Sequence, residues 1–180
     1  MRAFVALDLP EPWIRPITRL QAGLAVGRAM PEENLHLTLA FLGDVSDAAA
    51  QGVAEALDGA RLAPVTLALS GLALFGGQRP RVLAVSATGA GLAALRSKAM
   101  RLIREAGVEL ARTRFRPHVT IARFPRDLGA KEQARLGAFL GLNGTFALPP
   151  EPALAVTLYR SQLTHDGAHH EPLASFPLSV

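Results

Sequence analysis

The sequence predicts an internally duplicated α+β fold forming one domain over residues 1–180. Three observations carry that reading. Apolar runs of strand length alternate with amphipathic helical stretches, two histidine-bearing strands share one pattern, and the elements around each follow the same coarse order. At 180 residues, 49% hydrophobic and 19% charged, the chain has enough apolar side chains for one sizeable core and too many for a disordered state. The longest charge-free run, Leu62 to Gln78, is broken by Pro64, Ser70 and paired glycines, so no helical membrane span is expected. Asp8 and Pro10 interrupt any apolar signal core at the start, which points to a cytoplasmic protein. With no cysteine, disulfides, a thiolate zinc site and a Cys nucleophile are excluded.

In chain order, Arg2 to Leu9 reads as a buried strand, and Pro10-Glu11-Pro12 starts a helix running to about Gly23. Asn34 to Leu42 alternates as a strand closed by Gly43 and Asp44. Ser46 is the N-cap of a helix to about Leu57. Val65 to Phe75 and Arg81 to Ala87 flank the turn-rich Gly76-Gly77-Gln78-Arg79-Pro80 and predict an antiparallel pair. Leu92, Leu95, Ala99, Leu102, Ile103 and Ala106 recur at helical spacing from about Gly91 to Ala106. Pro117 to Phe124 is a strand, Asp127 to Leu140 a helix, and Leu154 to Leu163 and Pro172 to Val180 are closing strands. Helix, strand with His36, helix and strand pair is thus followed by helix, strand with His118, helix and strand pair.

The formal charge of +4 is unevenly spread. Between Gly76 and Arg126 lie eleven basic residues and two acidic ones, a balance of +9, so the remainder carries −5. Most of the excess is Arg, whose planar fork suits phosphate, and the stretch predicts an anionic partner or a solvated basic face.

The two strands read Leu35-His36-Leu37-Thr38-Leu39 and Pro117-His118-Val119-Thr120-Ile121. From residue frequencies, two of five histidines followed by Thr two positions on is a chance of about 1 in 40, and apolar neighbours on all sides lower it to about 1 in 600. Residues two apart on a strand share a face, so His36 with Thr38 and His118 with Thr120 present chemistry on one side and core on the other. Two imidazoles can hold opposite protonation states near neutral pH, one accepting and one donating a proton. Neighbouring hydroxyls donate to phosphate oxygens without adding charge. The set suits phosphodiester cleavage or transfer at a ribose.

Competing readings are weaker. No carboxylate stands beside either histidine and no H-E-x-x-H spacing occurs, so no metal and no other cofactor is expected. His165, His169 and His170 read as a polar hairpin loop. Gly89-Ala90-Gly91-Leu92-Ala93-Ala94 matches a dinucleotide-binding G-x-G-x-x-A with Glu109 twenty residues on, but the surrounding elements do not form a βαβαβ half.

At four places the chain resembles the 2H phosphoesterase superfamily, in its RNA 2′,3′-cyclic phosphodiesterase (2′-5′ RNA ligase) branch: Phe4 to Pro10, Pro31 to Gly43, Phe115 to Arg123 and Val156 to Leu163. The resemblance implies a bilobal fold with two antiparallel β-sheets around a central cleft and helices packed outside. It also implies metal-independent catalysis by His36 and His118 and opening of a 2′,3′-cyclic phosphate, on RNA or a nucleotide, to a 2′-phosphomonoester. Thr38, Thr120 and Arg123 would bind the phosphate, although strict alternation puts Arg123 on the face opposite His118. His118 is assigned as base toward water and His36 as acid toward the 3′-oxygen, the reverse assignment staying open. Arg112, Arg114 and Arg116 are expected RNA contacts, either on a backward extension of the His118 strand or on a loop beside the cleft. Two positions depart from the family pattern: Ala29 stands where an aromatic is usual, and His170 where a tyrosine is usual. A monomer is expected. The alternatives are 2′-5′ end joining as the main activity and a non-catalytic basic RNA-binding domain.

Overall fold

The computed structural model describes residues 1–165 and 167–178. Strand β1 (Arg2–Asp8) is followed by helix α1 (Glu11–Ala22), a two-residue strand β2 (Arg28–Ala29) and a 3-10 turn at Glu32–Asn34. Next come β3 (His36–Asp44), α2 (Asp47–Asp58), β4 (Thr66–Phe75), β5 (Val82–Ala90) and α3 (Leu92–Glu105). The chain continues through β6 (His118–Arg123), α4 (Ala130–Asn143), β7 (Ala147–Pro152), β8 (Ala155–Thr164) and β9 (Gly167–Pro177). The Ser46 hydroxyl accepts from Ala49 N–H at 3.1 Å, so α2 starts at the expected cap. No described helix is long and apolar enough to cross a membrane.

All strand pairings are antiparallel, in the order β7-β4-β5-β6-β3-β1-β8-β9, with β2 on β6. The expected pair of separate sheets is corrected: the described strands form one continuous path. Its two four-strand halves meet where β3 pairs with β6, at the single register pair Leu37↔Val119. This joint brings the two histidine-bearing strands next to each other. Leu37, Val119 and Ile121 are wholly buried, together with Trp13 and Ile17 of α1, Val53 and Leu57 of α2 and Ile103 of α3. Truncating Leu37 to Ala therefore removes about 2–5 kcal/mol of packing. The dinucleotide fingerprint is excluded by topology as well, since both neighbours of β5 run antiparallel to it and Gly91 serves only as the left-handed N-cap of α3, at φ 80°.

Three local expectations are revised. Strand β7 has the sequence Ala-Leu-Pro-Pro-Glu-Pro, and its prolines conceal it; the ladder tolerates them because β7 is an edge strand. Strand β9 begins five residues earlier than expected, at Gly167, so His169 and His170 pair with Gln162 and Ser161 and do not lie in a loop. Asp166 of the expected hairpin loop, and Ser179 and Val180 of the expected last strand, lie outside the described residues. Strand β6 starts at His118, directly after Pro117, which has no N–H to extend a ladder. Arg112, Arg114 and Arg116 therefore occupy the loop alternative between α3 and β6, all three exposed.

Candidate active site

A cleft of about 600 Å³ opens over the β3–β6 joint, lined by His36, Thr38, His118, Thr120 and Arg123 among others. Each strand brings its His and Thr to this side by ordinary alternation, with Leu37 and Leu39 of β3 and Val119 and Ile121 of β6 turned to the core.

Arg123 reaches the cleft because the alternation breaks. Leu83 pairs with Ala122 while Ala84 pairs with Thr120, which leaves Ile121 as the extra residue of a β-bulge. Ile121 and Ala122 are consequently buried in succession, and Arg123 returns to the face of His118. The same irregularity occurs in β3, where Val5 pairs with Ala40 and Ala6 with Thr38, so Leu39 is extra. Leu39 and Ala40 are both buried, and Phe41, 69% exposed, turns into the cleft at the position corresponding to Arg123. In both strands the bulge lies three residues beyond the histidine. Strict parity fails there because it assumes an unbroken ladder.

The two imidazoles are held alike at one nitrogen and differ in surroundings. His118 Nδ1 lies 2.6 Å from the Arg116 carbonyl, an oxygen that can only accept. Nδ1 therefore carries the proton, and Nε2 is left as the accepting nitrogen. His36 likewise donates to the backbone of Asn34, which favours its charged form, but burial dominates and lowers its pKa from 6.5 to about 4. His170, Arg123 and His118 push the same way by charge.

Around His36 the wall is aromatic. Phe4 lies 4.7 Å from it, ring centre to ring centre, and Tyr159 stacks on Phe4 at 5.1 Å with 13° between planes and lies 6.0 Å from His36 itself. Tyr159 is pinned by its hydroxyl, which donates to Asp8 Oδ1 at 2.7 Å, while Thr157 donates to Asp8 Oδ2 at 2.7 Å. Burial, then the Asp8 hydrogen bond, hold the Tyr159 phenol protonated well above its ordinary range. His118 instead rests on Phe75 at 4.4 Å, and the Arg116 guanidinium covers the same Phe75 ring at 4.6 Å. Beside it a second cavity of about 320 Å³, sharing Thr38, Phe41, Phe75 and His118 with the cleft, is walled by Arg114 and Arg116. Arg112 is exposed farther back along the loop.

Phe4, Phe75 and the closeness of His170 to His36 were not legible in the residues alone. Phe4 sits in an apolar strand and looks like core, and Phe75 ends a strand distant in sequence. His170 enters the cleft through the register of a strand whose start was hidden.

Comparison with known proteins gives the family and the fold. The chain is 33% identical over 97% of its length to an RNA 2′,3′-cyclic phosphodiesterase of Geobacillus stearothermophilus, of which it spans 56%. It is 30% identical over 81% of its length to one of Aeropyrum pernix, covering 83% of that protein. Among solved structures, TT0787 of Thermus thermophilus matches with a TM-score of 0.77 at 24% identity, over 99% of this chain and 98% of that one. E. coli LigT complexed with 3′-AMP matches at 0.71 and 25%, with the same coverage of each chain. The family model described as the 2′-5′ RNA ligase superfamily matches residues 9–171, a span that holds both histidine strands and the joint between them, and the chain belongs to that superfamily.

Proposed function

We propose that the protein hydrolyses 2′,3′-cyclic phosphate ends of RNA, or 2′,3′-cyclic nucleotides, to 2′-phosphomonoesters, using His36 and His118 as an acid–base pair without a metal. The observation that carries this is the β3–β6 joint, where two His-x-Thr strands give one cleft two imidazoles, two hydroxyls and Arg123. The names of the curated relatives supply the substrate class.

His118 is the base. Its Nε2 is left as an acceptor by the Arg116 carbonyl and takes a proton from water as the oxygen attacks phosphorus. His36 is the acid, giving its proton to the departing 3′-oxygen. Thr38, Thr120 and Arg123 hold the non-bridging oxygens, where negative charge grows in the transition state. In the empty cleft His36 is neutral, with its pKa lowered to about 4. A phosphate anion about 4 Å away at an effective dielectric near 20 contributes about 4 kcal/mol, or about 3 pKa units, which restores the proton near neutrality. The substrate thus charges its own acid. With a 5′-hydroxyl in place of water, the same steps yield a 2′-5′ linkage.

Arg114 and Arg116 flank the second cavity and, with Arg112, form a basic track for the phosphates of a polynucleotide. The test is turnover of a 2′,3′-cyclic nucleotide in EDTA. Unchanged conversion to the 2′-phosphate is expected. Loss in chelator with recovery on one divalent ion would contradict the metal-free mechanism, and binding of RNA without turnover would leave only a basic RNA-binding domain.

A further inference from the structure

His170 has no part in the two-histidine scheme, yet it lines the same cleft. Its ring stands edge-on to His36, centres 5.3 Å apart and planes at 82°, and edge-on to Phe4 at 4.9 Å. Its Nδ1 is buried and has no hydrogen-bond partner among the described residues. Among the described residues, the groups that face or act on it are His36 from β3, Arg123 from β6, His169 from its own strand, Phe4 from β1 and the register partner Ser161 from β8, while the adjacent Glu171 pairs with Arg160. Burial first, then Arg123 and His169, favour its uncharged form. Among the described residues, no carboxylate is one of the charges acting on it. Two imidazoles in contact beside an arginine form a site that suits an anion.

We propose that His170 is a third functional imidazole of the cleft, a positioning residue that disfavours the charged form of His36 while the cleft is empty and takes up a proton together with it when a tetrahedral anion enters. The two cations repel at this separation, so an anion must offset them before both can form. Anion binding and proton uptake are thereby linked. The residue thus joins substrate arrival to the loading of the acid. This rests on the reading of the cleft as a phosphate site.

Sulfate is a suitable probe, being tetrahedral and carrying no exchangeable proton near neutral pH. Its affinity, measured by calorimetry between pH 5 and 7.5 in buffers of different ionisation enthalpy, counts the protons taken up. The wild-type protein should take up more protons near pH 6 than His170→Tyr or His170→Asn, and its affinity should rise more steeply on acidification than theirs. A purely structural role would leave that count unchanged. Equal uptake in the wild type and in either folded variant would overturn the role of His170 while leaving turnover of the cyclic phosphate intact as a separate observation. Absence of sulfate binding in the wild type at every pH would overturn the phosphate-site reading, and the inference with it.

Discussion

Strands β3 and β6 carry the same His-x-Thr, the same bulge three residues beyond the histidine and a ring hydrogen-bonded to the backbone two residues before it. Their surroundings differ. His36 is enclosed by Phe4, His170 and Arg123, which hold it neutral, while His118 rests on Phe75 at the mouth of an arginine-lined side cavity. Equivalent backbone places the two groups, and unequal packing gives them different surroundings, on which the proposed division of roles rests. The residue beyond each bulge follows suit, an aromatic surface at Phe41 on one strand and a cation at Arg123 on the other.

The largest effect expected from disturbing that pair is on the histidines. His36→Ala and His118→Ala should each lower turnover of a 2′,3′-cyclic nucleotide by about 10²-fold or more with the fold retained by circular dichroism. A folded variant of either kind with wild-type turnover would end the paired scheme. Thr38→Ala and Thr120→Ala come next, at about 1.5–3 kcal/mol of transition-state stabilisation each, read as a fall in kcat/KM. No effect from either would reassign the threonines to strand packing.

Acid distinguishes the two sites further. The folded protein lowers the His36 value from 6.5 to about 4, so between these pH values the unfolded chain binds a proton that the folded chain refuses. The stability contributed by neutral His36 is complete above about pH 6.5 and is lost as pH falls through about 4. Thermal melts of the empty protein should show that loss, and His36→Asn should flatten it. An unaltered pH dependence in the variant would mean that His36 is not held neutral in the folded state.

The smallest effect concerns substrate size. Changing Arg112, Arg114 and Arg116 to Gln should weaken processing of a cyclic-phosphate oligonucleotide and flatten its salt dependence by a slope of about 0.7 per lost phosphate contact. A cyclic mononucleotide should be little affected. Equal losses on both would assign these arginines to the catalytic centre or the fold, a role that the Arg116–Phe75–His118 stack would explain for Arg116 alone.

Much of this was legible in the chain because it depends on local alternation. The His36 and His118 strands, the Ser46 cap and the Leu92–Ile103 helical stripe follow from periodicity and capping chemistry. What remained hidden depends on pairing between distant segments. Arg123 looked misdirected because a bulge is a property of two strands, and a single sequence carries no register. His170 looked like a loop residue because its strand is polar and is held by pairing with β8. The continuous sheet likewise turns on one contact between distant segments, Leu37 with Val119.

The most direct test of the division of labour replaces the 3′-oxygen of a 2′,3′-cyclic substrate with sulfur, a leaving group that departs without a proton. If His36 is the acid and His118 the base, His36→Ala should recover most of its lost turnover on the sulfur substrate, whereas His118→Ala should stay about 10²-fold or more below wild type. Recovery by His118→Ala and none by His36→Ala would reverse the two roles, and recovery by neither would contradict acid catalysis by this pair.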